Sequence, residues 1–93
     1  MTDLSFDHFS GGVGSPFDVR IGEDRIGLVL DKAEPLSRSV REAGAFRLEF
    51  LGPADPLLPQ GIYAFDVGGA EHEIFIVPIG RGPEGSRYEA IFY

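Results

Sequence analysis

At 93 residues, with 43% hydrophobic and 12% aromatic side chains, the chain reads as one globular domain spanning 1–93, which buries roughly 60 to 70% of the surface its unfolded form exposes. Eight Lys and Arg against fifteen Asp and Glu give a net charge of −7, which repels a phosphate backbone and argues against nucleic acid as a partner. With no cysteine there is no disulfide framework or thiolate zinc site, and no run approaches the roughly 20 apolar residues that cross a membrane as a helix.

The opening MTDLSFDHFS has no basic region and no long apolar run, so it does not read as a signal peptide, and a cytoplasmic location is expected. Residues 2–10 are predicted as a short helix, capped by Thr2 or Asp3, with Leu4, Phe6 and Phe9 as its apolar members. So short a helix cannot stand alone and must pack on something. Gly11, Gly12 and Gly14 end it. Phe17, Val19 and Ile21 then alternate with Asp18 and Arg20 on a first strand, and after a turn at Gly22-Glu23-Asp24 a second strand carries Ile26, Leu28 and Leu30 to about Ala33. Residues 34–44, EPLSRSVREAG, lose the alternation and read as a loop with a helical turn near Val40.

A third strand places Phe46, Leu48 and Phe50 on one face. The chain then meets Pro53, Pro56 and Pro59, each fixing φ and lacking an amide donor, so no central strand runs through them and the loop is stiff for its length. Leu58-Pro59-Gln60-Gly61 suits a type I turn that opens the fourth strand, where Tyr63, Phe65 and Val67 alternate with Ala64 and Asp66. After Gly68-Gly69-Ala70 the fifth strand, 71–79, is apolar on both faces. His72, Ile74 and Ile76 take one and Phe75 and Val77 the other, so both should be covered, and Pro78 should mark an edge or an exit from the sheet. Residues 80–86, GRGPEGS, read as a glycine-rich hairpin loop. The last strand turns Tyr88, Ala90 and Phe92 inward and Ile91 and Tyr93 outward. Six short strands with glycine and proline turns predict an all-β fold, a small six-stranded antiparallel barrel or coiled sandwich with a short N-terminal helix.

No catalytic constellation accompanies this fold. Ser15, in GVGSP, misses the G-x-S-x-G elbow in spacing and context, and reads as a turn residue. In Glu71-His72-Glu73 the two carboxylates point away from the imidazole on a strand, so no metal site is expected there. The glycines at 11–14 lie between a helix and a strand, the reverse of a phosphate loop, with no P-loop lysine. Arg38, Arg41 and Lys32 read as solvated loop charges. Neither an enzyme nor a cofactor is therefore expected.

The runs FLGPADPLLPQGIY at 50–63, EIFIVPIG at 73–80 and RYEAIF at 87–92 resemble those of a family of small bacterial proteins catalogued as a domain of unknown function. The resemblance carries no activity, cofactor or catalytic residue. It implies an accessory or assembly role beside tail-collar or tail-fibre-like proteins of phage type.

Two functional expectations follow from the residues. The first is a protein-interaction or assembly module, joining a protein partner or a second copy through Phe75, Val77, Ile91 and Tyr93, which lie on adjacent strands if the last two strands pair. The N-terminal helix or another subunit would cover that apolar set. The alternative is a small-molecule-binding barrel or minor enzyme, with a pocket near the proline loop formed by Asp55, Gln60, Tyr63, Arg87 and Tyr88.

Overall fold

Period-two alternation of apolar and polar residues commits each strand to one buried face, and six such faces close on each other. In a computed structural model, described over residues 7–35, 45–54, 57–82 and 85–92, helix α1 (Asp7–Ser10) precedes six strands. These are β1 (Pro16–Ile21), β2 (Asp24–Pro35), β3 (Phe46–Gly52), β4 (Gly61–Val67), β5 (Ala70–Gly82) and β6 (Gly85–Phe92). They form a closed antiparallel barrel in the ring order β1-β2-β3-β6-β5-β4. The seam between β1 and β4 is narrow, joined at Val19↔Phe65 and Arg20↔Ala64. The expected barrel is the fold, and its strands are the expected ones.

The interior is filled from every strand. Val19, Leu28, Leu30, Phe46, Leu48, Phe50, Phe65, Ile74, Ile76, Tyr88 and Ala90 are all buried. Phe50 meets Phe65 at 5.2 Å between ring centroids and takes the Phe17 ring edge-on at 6.1 Å, both favourable aromatic geometries. The two ends are stoppered by side chains from outside the sheet. At one end Phe9 of α1, fully buried, touches the rings of Phe17, Phe46 and Phe92 at 5.8–6.0 Å. At the other, Leu58 of the proline loop is 3% exposed, and its backbone N–H donates to the buried Tyr88 hydroxyl at 2.9 Å.

That hydrogen bond ties the loop to the core, because a buried amide N–H left without an acceptor costs free energy. Tyr88→Phe keeps the ring and removes the acceptor. The expected loss is about 1–3 kcal/mol in urea unfolding at unchanged m, and a loss below about 0.5 kcal/mol would mean the amide finds another partner. The Tyr63 hydroxyl donates to Pro59 O at 2.7 Å and Arg81 donates to Ala54 O at 3.0 Å, so three strands hold the loop.

Several expectations need correcting. The hairpin joining the last two strands is tighter than the expected 80–86, since β5 continues to Gly82 and β6 begins at Gly85, paired Gly82↔Gly85. Pro78 does not end the strand. β5 pairs with β4 up to Gly61↔Ile76 and with β6 from Val77↔Glu89, so the proline falls just past the last β4 pair, where no bond to β4 is lost. A register shift between Pro78 and Gly80 lets the strand turn the corner from one partner to the next. The outer face of β5 is open rather than covered, with Phe75 51% exposed, because Phe9 goes inside the barrel end instead of over the outer apolar set. β2 reaches Pro35, beyond the expected end near Ala33. Thr2, Asp3, Leu4 and Phe6, and the turn near Val40 with Arg38 and Arg41, lie outside the described residues.

Candidate functional site

On a strand whose even positions take the interior, the odd positions must face out. Ile74 and Ile76 are buried, so Glu71, Glu73, Phe75 and Val77 form the outward row of β5. Tyr88 and Ala90 are buried likewise, which turns Arg87, Glu89 and Ile91 outward on β6. Register then brings the apolar members together. Phe75 pairs with Ile62 of β4, which is 64% exposed, and Val77 pairs with Glu89. Phe75, Val77, Glu89 and Ile91 line one depression of about 230 Å³ on the outer wall. An apolar stripe therefore crosses three adjacent strands, β4, β5 and β6, on the outside of a barrel whose inside is packed.

Next to the stripe the outer wall is polar and self-neutralising. Glu49 of β3 is 6% exposed although it faces outward, because Arg47 and Arg87 fold over it. Its carboxylate accepts from Arg87 Nη1 at 2.8 Å and pairs with Arg47, which also donates to Glu89 at 2.5 Å and to Glu34 at 2.9 Å; Arg87 reaches Asp31 at 2.8 Å. Burial alone would push the Glu49 carboxyl up. The hydrogen bonds from Arg47 and Arg87, with the charges of Arg47 and Lys32, hold it below the usual carboxylate range. Burial likewise opposes the Arg47 charge, but the bonds to Glu89 and Glu49 raise its pKa.

A carboxyl whose folded pKa is depressed stabilises the fold above its unfolded value and loses that contribution as pH falls through the folded one. The network should thus weaken as pH drops below about 4.5, the ordinary Glu value. Glu49→Gln is expected to cost about 1–3 kcal/mol at pH 7 and to flatten the acid limb of stability against pH. Unfolding curves collected from pH 7 to pH 3 check this, and an unchanged acid limb would assign it to other carboxylates.

Of the interaction set read from sequence, Phe75, Val77 and Ile91 come together, and Tyr93 lies outside the described residues. Ile62 was missed. Its signal was available, since it alternates with Tyr63 and so faces outward, but only the β4–β5 register shows that it meets Phe75. Of the alternative pocket, Asp55 lies outside the described residues, Gln60 is exposed, and Tyr63 and Tyr88 spend their hydroxyls on the proline loop. Burial, and Tyr88 nearby, push the Tyr63 phenol up. Arg87, adjacent to Tyr88 in the strand, points to the opposite face and engages Asp31 and Glu49. Among the four described residues, Arg87 therefore does not converge with Tyr63 and Tyr88. A separate cleft of about 310 Å³ near the loop is lined by Ile21, Asp24, Arg25, Ile26 and Pro53.

His72 sits on the inward side, paired with Phe65, whereas Glu71 faces out and binds Arg20 at 2.5 Å. Among the described residues no group of three or more His, Cys, Asp or Glu is placed to hold a metal ion. No helix among them is long and apolar enough to cross a membrane. A family model described as a domain of unknown function (DUF6916) matches residues 4–92. No curated protein and no solved structure matches the chain.

Proposed function

Since the chain belongs to the DUF6916 family, we propose that it is a non-enzymatic protein-interaction or assembly module working through the outer wall of β4, β5 and β6. One observation carries this reading. Ile62, Phe75 and Ile91 are 64%, 51% and 39% exposed on neighbouring strands, while the interior positions of the same strands are packed. Single exposed apolar residues are ordinary, but a contiguous patch on a small domain marks a contact surface. The partner is a protein, another copy included, and an accessory role beside phage-tail-like proteins is the setting supported by the sequence resemblance.

Light scattering and affinity capture with the wild type and Val77→Glu test the surface. Capture of a protein partner, another copy included, is expected with the wild type and at least a tenfold loss with the variant, whose new carboxylate opposite Glu89 should cost no more than about 1 kcal/mol of stability. A strict monomer whose partner capture is untouched by Val77→Glu would overturn it. A small-molecule site is the second reading, supported by the 310 Å³ cleft beside Pro53, which is at the small end of ligand pockets.

A further inference from the structure

The apolar stripe has a charged border, and the border discriminates between occupants. Building on the outer wall of β4, β5 and β6 as an interface, we propose that it takes a different protein whose apolar contact residues are flanked by Lys or Arg, rather than a second copy of this chain. Glu73 stands two residues before Phe75 in the same outward row and is exposed. Across from it on β4 is Ala64, and one step further Asp66 pairs with Glu71. The stripe thus runs into carboxylates at the β4–β5 turn.

The neighbouring cations are already engaged. Glu71 holds Arg20 at 2.5 Å and Arg25 at 3.7 Å, and Arg47 is shared among Glu89, Glu34 and Glu49. Among the described residues no cation lies within ion-pair distance of Glu73. A second copy would bring the same acidic border and a further charge of −7 to the contact, and in a two-fold contact each patch meets itself. Like charges facing each other are a penalty, whereas basic flanks would be drawn in and oriented.

Amide chemical-shift mapping on the full chain tests this with three synthetic peptides. One has a Leu and Phe core flanked by lysines, the second the same core flanked by glutamates, and the third lysine flanks around serines. Saturable shifts at Ile62, Glu73, Phe75 and Val77 are expected with the first, with binding about tenfold weaker for the second and none at the stripe for the third. Glu73→Lys, a surface change that leaves folding intact, should weaken the lysine peptide roughly fivefold and strengthen the glutamate one. Equal binding of both apolar peptides overturns the charge selection and leaves the interface standing. So does a dimer in light scattering that Phe75→Ser dissolves, since a second copy is then the occupant. Equal binding of the serine peptide reduces the contact to electrostatics and also overturns the inference. If no peptide shifts the stripe and the chain stays monomeric, the interface reading itself fails.

Discussion

Replacing Phe9 by Ala should destabilise the domain by about 3–5 kcal/mol, the cost of deleting a buried aromatic ring. Phe9 is fully buried and meets Phe17, Phe46 and Phe92 at one end of the barrel. Its helix, Asp7–Ser10, is too short to have stability of its own, so the ring holds the helix as much as the helix holds the ring. The loss is a large share of the roughly 5–15 kcal/mol typical of a domain. Urea unfolding gives the energy, and hydrogen exchange should show protection falling first at Phe46 and Phe92, whose stacked rings, 4.4 Å apart, lose their cover. A loss under about 1 kcal/mol would mean the end of the barrel is closed by something other than this side chain.

Gly85→Ala is the second large effect. Gly85 has φ +123°, which side-chain-bearing residues rarely adopt, and a Cβ there would lie 2.1 Å from the carbonyl oxygen of Gly52. The obstruction is backbone, so no rotamer relieves it. Gly52 is crowded from its own side, with a Cβ landing 2.5 Å from Leu28 Cδ2. The start of β6 and the end of β3 approach so closely because neither carries a side chain. The expected cost is about 3–5 kcal/mol, combining backbone strain and overpacking. Gly80→Ala is the control, with no atom within 4 Å of its Cβ, and should change stability by less than about 1 kcal/mol. Comparable effects at both positions would show that the close approach is not what fixes Gly85.

Much of this architecture is legible in the chain itself, because strand alternation is a local signal. Phe46, Leu48 and Phe50, and again Tyr88 and Ala90, announce their inward face without any knowledge of partners. The glycine-rich stretch at 80–86 misleads for a physical reason. Turn-forming residues usually end strands, but Gly85 here uses its φ freedom to let β6 press against Gly52 while pairing with β5 continues. Where Phe9 packs is not local information either, since a one-turn helix does not specify which end of a barrel it closes. The ion network around Glu49 depends on β3 lying beside β6, a pairing between segments about 40 residues apart, of the long-range kind that sequence pattern does not encode. Phe75 and Ile91 were recognisable as outward residues, and their adjacency followed once the last two strands paired. Their exposure did not follow, because what covers a face depends on where the N-terminal segment goes.

The barrel is packed inside and offers its apolar surface outside. Methyl spectra of the labelled protein under xenon pressure test it most directly, because xenon enters dry apolar cavities and leaves filled ones alone. The expected result is no saturable shift at the interior methyls of Leu28, Leu30, Leu48, Ile74 and Ile76, with any response limited to Val77 and Ile91 at the outer depression. Saturable shifts at those interior methyls, with the outer ones silent, would contradict it by revealing a hollow barrel built to hold something within.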